Sequence, residues 1–239
     1  NPNITWEIIQ ANMDKPWNFR YVSFNPNITW DIVKANPDKK WEYNYLSYHS
    51  NITWDIIRDN PQIYWNFRYV SFNPNITWEI IQENPNKHWD YNKIAQNVIW
   101  EIVQKNPQIN WNFKYVSMNP NITWDIVQAN PDRKWDYMQL SKNKNITWEI
   151  VQENPHINWD FRYLSENPNI TWEIIRDNPD KEWEFQSLSD MNPNISWEII
   201  QENPDKNWDY SFACRNRTMT WKKFYDNFEK YWGGGEYEY

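Results

Sequence analysis

Apolar residues fall in short clusters between polar turns, and residues 25–48 show the plan. Trp30, Ile32 and Val33 lie together on a helical wheel, with Asp31 and Lys34 opposite. At 100° per residue the three span about 160°, the width of a core-facing stripe. Thr29 stands at the N-cap, where a hydroxyl reaches an orphan amide of the first turn. Asp31 follows at N2, where a carboxylate meets the positive end of the helix dipole. Ile28 before the cap and Val33 four residues after it are placed for a hydrophobic staple. This segment predicts a helix of about two turns, helix A. Asn36-Pro37 then breaks it, because the residue before proline is driven out of the α region.

The second half repeats the plan. Asn106-Pro107-Gln108-Ile109-Asn110-Trp111 matches Asn119-Pro120-Asn121-Ile122-Thr123-Trp124. The match predicts a second helix, B, opened by the tryptophan and capped by the residue before it. Helix B reads tryptophan, an acid or Asn, Phe or Tyr, two variable residues, Leu or Val, then Ser. Its apolar positions lie on more than one side, as for a helix packed between neighbours.

Tryptophan marks both halves. The twenty indoles, from Trp6 to Trp232, are spaced alternately by 11 and 13 residues, a period of 24. A fixed period of this size is the mark of stacked units that are stable only on their neighbours. The expected fold is therefore all-α: an α-solenoid of about ten 24-residue helix-turn-helix repeats with short helices. A β-solenoid is the alternative, since Ile, Thr, Trp, Val and Tyr favour strands. The terminal segment favours helix, because Trp221, Phe224, Tyr225, Phe228, Tyr231 and Trp232 recur at helical spacing with no Asn-Pro break.

The expected organisation is a tandem tryptophan-repeat solenoid over 1–212, a terminal repeat with a capping helix over 213–232, and a flexible acidic tail or appended remnant over 233–239. The beat slips in four places. His49-Ser50 replaces Asn-Pro. Two residues are lost between Trp89 and Trp100, where Ile99 replaces the capping Thr. Lys144 replaces proline, and one residue is gained around Asp190-Met191. The pattern is already running at Asn1, with no capping segment before it, so the chain is expected to be a piece of a longer array.

Composition narrows the function classes. All three glycines are Gly233, Gly234 and Gly235, so the repeats hold no phosphate-cradling loop or dinucleotide fingerprint. Cys214 is alone, which favours a reducing compartment. A net charge of −8 disfavours nucleic acid and acidic membrane surfaces as default partners. No apolar run approaches the ~20 residues of a membrane span.

The run Asn167-Pro-Asn-Ile-Thr-Trp-Glu-Ile-Ile-Arg-Asp-Asn-Pro-Asp-Lys-Glu-Trp183 resembles tryptophan-rich tandem repeats in proteins of giant amoeba-infecting DNA viruses. The resemblance covers roughly residues 1–212. It implies a repeat scaffold in the virion or the host cytoplasm, and it carries over no catalytic residues.

Candidate sites are few. The tryptophans read as core rather than as a stacking ladder for nucleic acid or glycans. The acids after them, Glu7 and Asp31 among others, read as dipole compensation. Asn-Ile-Thr at Asn3, Asn27, Asn51, Asn75, Asn121, Asn145 and Asn169 matches a glycosylation sequon, as do Asn194 and Asn216 in variant form, but each Thr or Ser of the helix starts is already needed as a cap. His49, His88 and His156 lack ligand spacing, and no catalytic group, cofactor site or metal site stands out. One feature exceeds the 24-residue period. Arg20, Arg68, Lys114 and Arg162 occupy one helix B position in alternate repeats, each followed by a tyrosine: Tyr21, Tyr69, Tyr115 and Tyr163. The expected function is a non-enzymatic scaffold for an unidentified protein partner. The alternative is a polymer-binding module, for nucleic acid or glycan, that uses this basic–aromatic stripe.

Overall fold

A computed structural model describes residues 3–213 and 218–231. Among these the chain is all-α, with eighteen short helices in a repeating pattern, a longer final helix, and no strand. The β alternative is therefore excluded for the described residues. Cys214, Asn216, Trp232 and the 233–239 tail lie outside them.

The chain divides into two compact units, 1–98 and 99–239. The boundary coincides with the repeat that is two residues short. There Ile99 occupies the N-cap of helix Trp100–Lys105 and gives no side-chain cap.

The first unit alternates A helices Trp6–Ala11, Trp30–Ala35, Trp54–Asp59 and Trp78–Glu83 with B helices Phe19–Val22, Tyr43–Leu46, Phe67–Val70 and Tyr91–Ile94. The second continues the alternation from Trp100–Lys105 to Tyr210–Ala213 and closes with Trp221–Tyr231. Each is a stack of helix pairs, and B helices pack on the B helices of neighbouring repeats, as Phe113–Ser117 does on Tyr137–Lys142.

Helix A forms as its sequence dictates. Thr29 accepts the Ile32 amide at 3.4 Å, and Thr5, Thr53, Thr77, Thr123, Thr147 and Thr171 do the same in their repeats. Ile28 and Val33 are buried, while Asp31 and Lys34 are exposed. The helix stops at an asparagine whose side chain satisfies a carbonyl that a longer helix would have used: Asn36 Nδ2 donates to Ile32 O at 2.8 Å. No described residue has positive φ, which is why the repeat needs no glycine.

Helix B departs from the expected plan. It starts two residues after the tryptophan, and the residue that follows the tryptophan is the cap. Asn112, not Asn110, caps Phe113–Ser117 by accepting the Lys114 amide at 3.1 Å. The residue before the tryptophan is Lys40, Tyr64, His88 or Asn110, most of which cannot cap, whereas the residue after it is Asn, Asp or Glu throughout. Trp111 thus sits in the connection, where its indole donates back to the Asn106 carbonyl at 3.0 Å. The same bond recurs from Trp17 to Trp208.

These connection tryptophans hold the stack together. Trp41 meets Trp6 of the preceding repeat, tilted at 6.0 Å, and takes the edge of Phe19 at 5.2 Å. Trp135 is held in the same way by Trp100 and Phe113, and Trp183 by Trp148 and Phe161. Trp41, Trp65, Trp89, Trp135, Trp159, Trp183 and Trp208 each meet two rings of the previous repeat, which covers ring area that a stacking ladder would have offered.

A buried polar seam complements the rings. Ser141 donates its hydroxyl to Tyr137 O at 2.7 Å and accepts the Asp160 amide of the next repeat at 3.1 Å. Asn167 donates to the carbonyls of Ser141, Asn143 and Ile146 of the previous repeat and accepts the Asn169 amide. Asn73 does the same in the first unit. Buried backbone groups must find partners, and in a fold of six-residue helices many are left over. These asparagines satisfy them across the repeat boundary.

His49 interrupts the seam. It takes the ladder position of Asn73 one repeat earlier, is buried, and reaches the Phe24 and Ile28 backbones, but its Nδ1 finds no partner among the described residues. Burial holds its pKa below the ordinary 6.5. The neutral form is favoured by folding, so its stabilisation is full above pH 6.5 and is lost as pH falls through the depressed value. His49→Asn restores the acceptor for the residue 51 amide. We expect about 1 kcal/mol of added stability at pH 7.5, and a smaller loss of stability on acidification from pH 6.5, read by urea titrations across that range.

Candidate interaction face

The sequence-predicted basic–aromatic pairs all lie on B helices, at their second and third residues. Arg20 and Arg68 belong to the first unit, Lys114 and Arg162 to the second, and all four are exposed. Tyr21 is 71% exposed, while Tyr69, Tyr115 and Tyr163 are half-buried.

Their partners differ. Arg20 lies over Tyr45 of the next repeat, 5.9 Å from the ring centroid, and 3.8 Å from Glu42. The Tyr45 hydroxyl, then Glu42, raise its pKa further, so its charge is fixed. Arg162 instead folds back on its own helix cap and grips Asp160 through Nε at 3.2 Å and Nη2 at 2.8 Å. That bond holds the Asp160 carboxyl below the ordinary carboxylate value.

The structure adds a second row that the sequence reading missed. Three residues after each tyrosine, just past the end of helix B, stand Phe24, Tyr48 and Phe72 in the first unit. Phe24 is 58% and Phe72 47% exposed. The rows interlock diagonally. Phe24 meets Tyr45 at 5.6 Å and Tyr48 at 5.9 Å, both nearly edge-on, and Lys93 sits 4.6 Å over Phe72. Burial, then the neighbouring Tyr45 and Tyr69 phenols, push the Tyr48 hydroxyl up, so it remains a donor. The available signal was the i, i+3 recurrence of two aromatic residues across three consecutive repeats.

The same two positions in the second unit are Tyr115 and Met118, Gln139 and Lys142, Tyr163 and Glu166, then Ser187 and Asp190. Lys142 and Glu166 form an ion pair at 2.5 Å there. The aromatic double row is thus a property of the first unit.

Charge is also divided by helix type in the first unit. Its A helices carry six acids and two bases, while the remaining segments of residues 12–98 carry four acids and seven bases. The B helices themselves hold three bases, Arg20, Arg68 and Lys93, and no acid, with Glu42 and Asp90 at two of their caps.

The other candidate chemistry is absorbed by the fold. Asn27, Asn51, Asn75, Asn145, Asn169 and Asn194 spend their sequon amides on the previous repeat: Asn75 Nδ2 donates to Ser50 O and Ile52 O, and Asn145 to Pro120 O and Ile122 O. A glycan on that nitrogen would displace these bonds. Glu7 is held below the ordinary glutamate value first by the Thr5 hydroxyl, and Glu79 first by its own amide, as suits a helix start. Clefts of about 260 and 300 Å³ recur at one repeat position, walled by Trp54, Ile57 and Trp65 in one case and Val103, Ile109 and Trp111 in the other. Neither is lined by a carboxylate or an imidazole. Among the described residues no group of three His, Cys, Asp or Glu side chains is placed to hold a metal ion, and no helix is long and apolar enough to cross a membrane.

Comparison with known proteins returns nothing similar: no family model matches this chain, and no curated protein or solved structure does.

Proposed function

We propose that this chain is a non-enzymatic repeat scaffold whose B-helix side binds a protein partner. The observation that carries this reading is the exposure of rings and cations in rows on the B helices, while the conspicuous polar groups of the repeat are spent within the fold. Tyrosine, other aromatics and arginine dominate the energetics of protein interfaces, and an extended repeat surface suits an elongated partner. The resemblance to giant-virus repeats makes the virion or the infected host cytoplasm the proposed setting, with a viral structural or host-interaction role.

The test is a paired measurement on the full chain carrying Arg20→Glu, Arg68→Glu, Lys114→Glu and Arg162→Glu. Each reversal changes the charge by two, taking the net charge from −8 to −16. The four side chains are exposed, so the helical circular dichroism is expected to persist with a melting shift of only a few degrees. A partner recovered from the native cell is expected to be lost. Retention of that partner by the folded variant overturns the reading. Salt-dependent binding of an oligonucleotide, lost in the same variant, would instead favour the polymer-binding alternative.

A further inference from the structure

We infer that the aromatic double row of the first unit, from Tyr21 to Phe72 with Arg20, Arg68 and Lys93, is a docking face for an extended proline-rich peptide segment that carries acidic residues six positions apart. The inference rests on the scaffold reading and specifies the partner chemistry of one face.

Pitch is the first argument. Helices packed side by side are spaced by about 8–10 Å. A polyproline II segment advances 3.1 Å per residue with three residues per turn, so one turn is about 9 Å. One turn of such a peptide therefore matches one repeat, and the same peptide face returns to the same pair of ring positions at each step.

Ring geometry is the second. Phe24, Tyr45 and Tyr48 pack nearly edge-on at 83° and 73°, so parts of their faces are covered by one another. Nucleobases need open, parallel-stackable faces, whereas proline rings fit the notches between crossed aromatic rings. The phenols complete the fit. A polyproline II backbone makes no internal hydrogen bonds, so its carbonyls require external donors, and Tyr21, Tyr45, Tyr48 and Tyr69 bring a hydroxyl to each of three repeats.

Charge is the third. Arg20 and Arg68 stand at the same position two repeats apart, a separation of about 16–20 Å. That distance is close to six residues of polyproline II, about 19 Å. Glutamates six apart on the peptide would face both guanidiniums. Three cations over four repeats, one of them already near Glu42, give no continuous track for a phosphate backbone.

The test uses a fluorescently labelled 13-residue polyproline peptide with glutamate at its fourth and tenth positions, titrated with the full chain. Saturable binding is expected, weakened at least tenfold when both glutamates are lysine, and at least fivefold when they are moved to five apart. Phe24→Ser with Phe72→Ser, and separately Arg20→Glu with Arg68→Glu, are each expected to weaken binding at least tenfold. Arg162→Glu, in the second unit, is expected to change it less than twofold. The charge pair is exposed and decides the matter if the ring pair fails to fold. Absence of saturable binding overturns the inference, as does binding that survives the folded Arg20→Glu, Arg68→Glu variant. Tighter binding of a twelve-nucleotide oligothymidine than of the peptide assigns the face to nucleic acid and overturns it as well. If the peptide fails while the cellular partner is still lost on reversal of the four cations, the scaffold reading stands and only the peptide chemistry falls.

Discussion

Asn167→Ala is expected to destabilise the second unit by about 3–5 kcal/mol, as much as removal of a core tryptophan. A surface asparagine would cost next to nothing, but Asn167 has no exposed area. Its Nδ2 shares two hydrogens among Ser141 O at 2.8 Å, Asn143 O at 3.0 Å and Ile146 O at 3.0 Å, and its Oδ1 accepts the Asn169 amide at 2.8 Å. After truncation Ile146 O keeps Asn169 Nδ2 and Asn143 O keeps the Ile146 amide. The Ser141 carbonyl and the half-buried Asn169 amide lose this partner, and a buried polar group left unpaired costs about 1–3 kcal/mol. Asn167→Asp is a sharper test because it keeps the shape. A carboxylate in place of the amide turns its charge toward three carbonyls, so its folded-state pKa is raised. The penalty is absent below the unfolded value of about 3.9 and grows as pH rises above it. This variant is expected to gain stability relative to the parent on acidification. Urea titrations at neutral and acidic pH read both effects, and parental stability in Asn167→Ala would show that the seam contributes nothing.

Trp135→Ala is expected to cost about 3–5 kcal/mol through loss of the ring, while the Asn130 carbonyl keeps the Arg133 amide at 3.2 Å. Trp135 is buried, donates to that carbonyl at 2.9 Å, and is enclosed by Trp100 at 5.4 Å and Phe113 at 5.1 Å from the repeat before. The contacts cross a repeat boundary, so the loss falls on the coupling between neighbours, and the unfolding transition should broaden as well as shift. Trp135→Phe keeps most of the ring packing and removes the indole donor, which separates the two contributions. Thr147→Ala, which removes only a cap of the half-buried Trp148 helix, is expected to cost about 0.5–2 kcal/mol. Equal costs for Trp135→Ala and Thr147→Ala would contradict the enclosed position of the connection indole.

The expected basic–aromatic stripe was legible only in part. Arg20, Arg68, Lys114 and Arg162 do lie on B helices, but two fold units share them, and Arg162 is engaged by its own cap while Arg20 reaches into the next repeat. Phe24, Tyr48 and Phe72 lie beyond the last residue of helix B, outside its helical periodicity. Only the stacking of one repeat on the next brings Phe24 against Tyr45, 21 residues away.

What the sequence determined by itself is what acts within one turn of chain. The threonine caps, the acids at N2, the apolar stripe of helix A and the Asn-Pro breaks are contacts over a few residues, and their recurrence every 24 residues dictated an all-α stack. The tertiary structure decided what depends on the neighbouring repeat. Trp135 and its counterparts look locally like helix openers, yet they sit outside helix B, where the Trp135 indole bonds the preceding cap carbonyl while its ring is held by the repeat before. The asparagines of the Asn-Pro pairs read locally as helix breakers. Asn73 and Asn167 are in addition the donors that satisfy carbonyls 21 to 26 residues earlier, a pairing that exists only once the repeats are stacked.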